Sequence, residues 1–244
     1  MNEENKIKII LSGESGVGCQ QLSNISTYKE FKANSPSPVC WFYQTKKITI
    51  NDKNFVINLW NGPGQEIFSS ISKIYMKGAD IVIFVYSIVD RSSFEKLMFH
   101  INTAFEILGN DFKGAIVGNK CDLYENEEVK AEEGEELAKK YGFKFALSSA
   151  KESKGFNYFL EELIKEFLLQ KKLINIKDIE IIKERKERER IERLESKKKE
   201  IERIERNERE RKEREELERE RERRKQKMKI KIYEKLEFLK YYNK

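Results

Sequence analysis

Apolar and polar positions along this chain fall into two regimes. Up to about residue 170, short apolar runs alternate with longer segments whose apolar residues recur every three or four positions; beyond it the apolar positions thin out into Glu, Arg and Lys. Ile7 to Leu11 is an apolar run that predicts a buried strand over 6–12, followed by a helix over 18–26 that Ser23, Asn24, Ser26 and Thr27 make polar. Ser35-Pro36-Ser37-Pro38 reads as a loop, because proline removes a donor and disfavours helix in the residue before it. Trp41 to Ile50 and Phe55 to Trp60 are strand-like, with Asn51-Asp52-Lys53-Asn54 as the hairpin turn between them. Ile81 to Tyr86 is apolar on both faces, as a parallel strand covered by helices requires. Ser92 to Leu108 predicts a helix with Ser92 or Ser93 near its N-cap. Gly114 to Gly118 predicts a strand, Ala131 to Tyr141 a helix, Phe143 to Leu147 a short strand and Phe156 to Leu169 an amphipathic closing helix. Strands alternating with helices imply a mostly parallel α/β sheet with ligands at the carboxyl ends of its strands.

Charge sharpens the division. Residues 1–170 carry 20 Lys/Arg against 23 Asp/Glu, whereas residues 171–244 carry 29 against 20. The expected organisation is a globular domain over 1–172 and a charged helical extension over 173–244. Cys19, Cys40 and Cys121 are an odd number without framework spacing, which suits free thiols in a cytoplasmic protein. No signal peptide and no apolar stretch of bilayer length is expected.

Candidate chemistry begins at Gly13-Glu14-Ser15-Gly16-Val17-Gly18-Cys19-Gln20. It follows the first strand and has the glycine spacing of a P-loop, G-x-x-x-x-G-K-[ST], whose backbone N–H groups wrap phosphates at a helix N-terminus. Its last two positions depart from that pattern: Cys19 stands for the phosphate-binding lysine and Gln20 for the metal-binding hydroxyl. Three further stretches follow predicted strands: Trp60-Asn61-Gly62-Pro63-Gly64-Gln65-Glu66, Gly118-Asn119-Lys120-Cys121-Asp122 and Ser148-Ser149-Ala150-Lys151. In this order the set resembles the Rab-family small GTPases of the Ras superfamily over residues 6–170. Tyr75-Met76-Lys77-Gly78-Ala79 resembles the Rab Y-Y-R-G-A segment.

The resemblance implies a P-loop small-GTPase fold, a mostly parallel six-stranded sheet flanked by helices, with guanine nucleotide, GTP or GDP, as its ligand. By the same resemblance Asp122 would accept from the guanine ring N–H and amine. Asn119 and Lys120 would brace the loop and pack along the base, and Ala150, between Ser149 and Lys151, would donate its N–H to the guanine oxygen. Phe31, twelve residues after Cys19, stands where the family keeps an aromatic against the base. On the phosphate side the switch threonine that senses the γ-phosphate and contacts Mg²⁺ is matched by Pro38, and the aspartate of the metal's water shell by Asn61. Gly64, whose N–H meets the γ-phosphate in the family, and Gln65, which orients the attacking water there, are retained.

Phosphoryl transfer rests on positioning and charge stabilisation, with Mg²⁺ and the lysine central. Charge-assisted bonds contribute about 1.5–3 kcal/mol each. The expectation is therefore a degenerate Rab-like domain with its guanine side intact, no metal site intact, weak or lost hydrolysis and poor switching, and Gln65 as a remnant. Two alternatives stay open. Gln20 and Asn61 carbonyls with a basic residue such as Lys29, Lys32 or Lys46 would sustain GTP hydrolysis, or the chain is a pseudo-GTPase scaffold that recruits effectors or regulators.

From Lys183 to Lys227 the chain is almost all Glu, Arg and Lys, and opposite charges recur four apart, as at Glu184–Arg188 and Glu202–Arg206. Such pairs contribute about 0.2–0.5 kcal/mol each, enough for a solvated helix of roughly 65–70 Å. Ile191, Leu194 and Ile201 make too sparse a seam for a regular heptad, so a single charged helix is expected and coiled-coil self-association is the alternative. Arg223 to Lys244 is basic, with Met228, Ile232, Leu236 and Leu239 on one face. It suits an acidic membrane surface, a protein partner or a return onto the globular domain. No DNA partner is expected and no RNA-binding motif is present. Rab proteins typically end in prenylated cysteines; no cysteine follows Cys121 and Met1-Asn2 lacks a myristoylation glycine, so the family's lipid anchor is not expected.

Overall fold

A computed structural model describes residues 5–28, 30–31, 40–50, 53–64 and 70–242. Its elements in chain order are β1 (Asn5–Ser12), α1 (Cys19–Thr27), β2 (Phe42–Ile50), β3 (Lys53–Asn61), α2 (Ser70–Met76), β4 (Ile81–Ser87) and α3 (Arg91–Glu95). There follow α4 (Leu97–Leu108), β5 (Lys113–Asn119), a 3₁₀ turn (Cys121–Asn126), α5 (Ala131–Tyr141), β6 (Lys144–Leu147), α6 (Phe156–Gln170) and α7 (Ile176–Tyr242). The chain divides into two units, 1–181 and 182–244.

In the first unit six strands form one sheet in the order β2-β3-β1-β4-β5-β6. Only the β2–β3 pair is antiparallel; β1, β3, β4, β5 and β6 run parallel. The parallel strands place Ser12, Asn61, Ser87, Asn119 and Leu147 at one edge, where the candidate motifs begin. Every residue of β4 is buried, as its unbroken apolar run requires. Helices α1 and α6 cover one face of the sheet, and α3, α4 and α5 cover the other, where Ile10, Phe84, Tyr86, Leu97, Ile101 and Ile116 meet.

The polarity of α1 has a structural counterpart in β2. Ser23, Asn24 and Ser26 are buried; Ser23 Oγ donates to Gln44 Oε1 at 2.6 Å, Gln44 Nε2 donates to Asn24 Oδ1 at 2.7 Å, and Ser26 Oγ donates to the Leu22 carbonyl at 2.8 Å. A helix face made of paired polar groups packs on the sheet without a desolvation penalty.

The helix over 92–108 begins one residue earlier and is broken at Lys96. Its cap is Asp90, whose carboxylate accepts from the Ser93 N–H at 3.2 Å, rather than Ser92 or Ser93. Ser93 instead turns its hydroxyl inward, donating to the Asp90 carbonyl at 2.7 Å and accepting from the Ser87 N–H at 3.1 Å. Of the hairpin turn, Asn51 and Asp52 lie outside the described residues, as do Lys29, Lys32 and the Ser35–Pro38 loop.

After α6 the chain stays on the first unit for a few residues. Ile174 is buried, and Asn175 and Asp178 exchange side-chain-to-backbone bonds of 2.8 and 3.0 Å that open α7. In the second unit, helical ion pairs such as Arg188–Glu184 and Arg203–Glu200 are 3.6 Å long and well exposed, the class that contributes least individually. Ile201 is 57 % exposed. Among the described residues no helix is long and apolar enough to cross a membrane.

Candidate functional site

The loop between β1 and α1 needs its glycines for geometry. Gly16 and Gly18 have φ of 84° and 102°, which lets the loop curl along the cavity, and α1 starts at Cys19, a cavity-lining residue, with the amides of its first turn lacking partners within the helix. A Cβ on Gly18 would lie 2.4 Å from Asn119 Nδ2, and one on Gly13 would lie 2.2 Å from the Val85 carbonyl oxygen. Gly64, after β3, is backed against the same loop; a Cβ there would lie 2.4 Å from the Ser15 nitrogen.

Asn119, at the end of β5 and 1 % exposed, ties three loops together. Its Nδ2 donates to the Val17 carbonyl at 2.8 Å, and its Oδ1 accepts from Ser148 Oγ at 3.1 Å and from the Ala150 N–H at 3.3 Å. Lys120 takes a left-handed conformation, φ 66°, that turns the chain into the 3₁₀ segment. Asp122 Oδ1 accepts from Ser149 Oγ at 2.6 Å, which fixes one carboxylate oxygen.

These loops enclose one cavity of about 380 Å³. Of the residues singled out by sequence, Gly13, Glu14, Ser15, Gly16, Gly18, Cys19, Gln20, Phe31, Gly64, Asn119, Lys120, Asp122, Ala150 and Lys151 line it. Val17 and Ser149 lie behind it as buried supports. Pro38 and Gln65 lie outside the described residues. Gly62, within the Trp60–Glu66 stretch singled out by sequence, also lines the cavity, as do Gln21 and Leu123, which were not.

The two ends of the cavity differ electrostatically. Among the described lining residues the cations are Lys120 and Lys151, both on the loops after β5 and β6. At the other end the charged lining residue is Glu14, held from the break before α4 and from α4 itself: Lys96 Nζ is 3.0 Å from Glu14 Oε2, and His100 Nε2 is 3.3 Å from Glu14 Oε1. His100, the single histidine of the chain, is 1 % exposed, and its Nδ1 is 3.0 Å from Ser12 Oγ. Burial pushes the imidazole below its ordinary pKa, partly offset by Glu14. The neutral ring therefore donates Nε2–H to Glu14 and accepts at Nδ1 from the Ser12 hydroxyl. Burial pushes the Cys19 thiol up to about 12, so it carries no charge at neutral pH. None of the contacts through Lys96 and His100 is signalled by motif spacing, since they lie 82 and 86 residues from Glu14.

The family resemblance implies a magnesium ion at the phosphate end. Mg²⁺ seeks hard, preferably anionic oxygens in near-octahedral array. Gln20 and Asn61 offer neutral amides. Asn61 is fully buried, its Nδ2 and Oδ1 make no hydrogen bond among the described residues, and it does not line the cavity. Among the described residues no group of three His, Cys, Asp or Glu could hold a metal. Among the described residues, Gln20 and Asn61 do not make a donor set that fits the ion.

Outside the cavity, Trp41, Tyr43, Trp60 and Tyr75 form an aromatic group on β2, β3 and α2. Trp41 stacks on Tyr75 with centroids 5.5 Å apart, Tyr43 is 4.6 Å from Trp60, and Lys8 Nζ lies 5.0 Å over the Trp60 ring. Tyr43 is 53 % exposed.

Comparison with known proteins gives a consistent placement. A family model described as Ras family matches residues 8–169. The chain is similar to Ras-related protein Rab-2B of Dictyostelium discoideum, 34 % identical over 165 residues, 68 % of this chain and 82 % of that protein. It is also similar to Rab-11B of the same organism, 36 % identical over 146 residues, 60 % of this chain and 66 % of that one. Ras-related protein SEC4 of Saccharomyces cerevisiae is 33 % identical over 173 residues, 70 % of this chain and 80 % of that protein.

Proposed function

The chain belongs to the Ras family, among its Rab-type small GTPases, and from that premise we propose that it is a guanine-nucleotide-binding domain with weak or lost hydrolysis and metal-dependent switching. The observation that carries this reading is the cavity itself. Its guanine-side residues, Asn119, Asp122 and Ala150, are knit into one bonded set, while Cys19 and Gln20 bring no charge to the phosphate end. Asp122 presents an acceptor to the paired donors of guanine, a pattern adenine lacks. Gln65 is a remnant of the family's water-orienting position, and Pro38 has neither hydroxyl nor N–H to sense a γ-phosphate. The vesicle-trafficking role is the family's; for this chain it extends to a cytoplasmic domain over 1–172 whose extension, 173–244, brings its basic end to an acidic membrane surface. Single-turnover incubation with GTP and Mg²⁺ tests the enzymatic part. Phosphate release no faster than in buffer is expected, and release at the rate of an ordinary member of the family would refute it.

The aromatic group, with Tyr43 exposed and the other three half-buried, supports a second reading, a pseudo-GTPase scaffold that recruits partners through this face and its helical tail. Tyrosine and tryptophan supply large, rigid contact area at low entropic cost. Tyr43→Ala would then abolish capture of a partner recovered with the parent while leaving nucleotide affinity unchanged; undiminished capture would exclude the face.

A further inference from the structure

We infer that this cavity selects its ligand by base and not by phosphate number: it takes guanosine mono-, di- and triphosphate with similar affinity and without metal. The inference rests on the guanine-site reading above and concerns only what lies beyond the base.

Three observations carry it. First, the attractive field at the phosphate end comes from backbone. The first-turn amides of α1, where the Gly13–Gly18 loop enters the helix, amount to roughly half a positive charge. Such a cradle satisfies the oxygens of one phosphate group. Second, the described cations of the lining, Lys120 and Lys151, stand on the loops at the base end, and Cys19 and Gln20 are neutral at the phosphate end. Third, the charged side chain lining that end is a carboxylate. Glu14 already engages Lys96 at 3.0 Å and His100 at 3.3 Å, so the nearby ammonium is spent on protein charge. Each phosphate added beyond the cradled one therefore meets no further unpaired cation among the described lining residues and gains little. A P-loop with lysine and metal differs, with affinity rising steeply as phosphates are added.

The test is calorimetric titration of the full chain with guanosine, GMP, GDP and GTP, with EDTA and with millimolar Mg²⁺. Affinities for GMP, GDP and GTP are expected to agree within about tenfold, with neither GDP nor GTP changed more than about threefold by Mg²⁺. Cys19→Lys, which restores an ammonium at the loop, is expected to raise GDP and GTP affinity at least about tenfold while leaving guanosine unchanged. GTP tighter than GDP, or GDP tighter than GMP, by more than about tenfold would overturn the inference and leave the guanine site standing. Failure of all four compounds to bind a folded protein would overturn the guanine-site reading itself.

Discussion

Replacing Asn119 by alanine removes the bond that joins the phosphate loop, the β5 loop and the β6 loop. The Val17 carbonyl loses its donor, and Ser148 Oγ and the Ala150 N–H lose their acceptor, all in a place that is 1 % exposed. A buried polar group left without a partner costs about 1–3 kcal/mol. Counting the 2.8 and 3.1 Å bonds at about 1–1.5 kcal/mol each, and the 3.3 Å bond at about 0.5, the loss is about 3 kcal/mol. That is a large share of the roughly 5–15 kcal/mol that stabilises a domain. The assay is urea unfolding of the full chain followed by near-ultraviolet circular dichroism, since both tryptophans, Trp41 and Trp60, lie in the first unit. A double-mutant cycle isolates the packing. Gly18→Ala in the parent brings a Cβ within 2.4 Å of Asn119 Nδ2; in the Asn119→Ala background that clash is gone and only the cost of the 102° φ remains. Coupling between the two sites should exceed about 0.5 kcal/mol. A loss below about 1 kcal/mol for Asn119→Ala, or zero coupling, would refute the view that this side chain is the knot of the site.

Other substitutions probe other parts of the molecule. Asp122→Ala should weaken GDP about tenfold to hundredfold in equilibrium titration, the loss of charged hydrogen bonds worth about 1.5–3 kcal/mol; parent-like affinity would remove the guanine site from consideration. Gly134→Ala should destabilise by about 1–3 kcal/mol in urea despite alanine's better helix propensity, because the new Cβ would lie 2.5 Å from Phe145 and 2.6 Å from Tyr86 Oη. His100 has a folded-state pKa below its unfolded value of about 6.5, so its contribution to stability is present above pH 6.5 and is lost as pH falls through the folded value. The melting temperature of the parent should therefore fall more steeply below pH 6.5 than that of His100→Gln, and parallel curves would show that the imidazole is not buried neutral.

The strands were legible because their signal is local. β4 and β5 are buried on both faces and read as unbroken apolar runs, and the glycine loop between β1 and α1 follows directly from its spacing. Elements whose reason is distant were not. The cap at Asp90 depends on Ser93 being drawn inward by Ser87, a tertiary demand that propensity cannot register. α2, seven residues long, spans barely two turns, too few for its apolar period to stand out in the sequence. The burial of Ser23 and Asn24 follows from Gln44 on another strand. In the cavity the lining glycines and Asp122 were readable from motif order. The clamp on Glu14 was not: in sequence, His100 sits where a helix of apolar period places an ordinary core residue.

The most direct test of a guanine site that works without metal is the affinity of a fluorescent GDP measured twice, with millimolar Mg²⁺ and with EDTA. The two dissociation constants are expected to agree within about threefold, and an excess of unlabelled GDP but not ADP should displace the probe. A loss of affinity of about a hundredfold or more on removing Mg²⁺ would contradict the reading and show that Gln20 and Asn61 hold the ion after all.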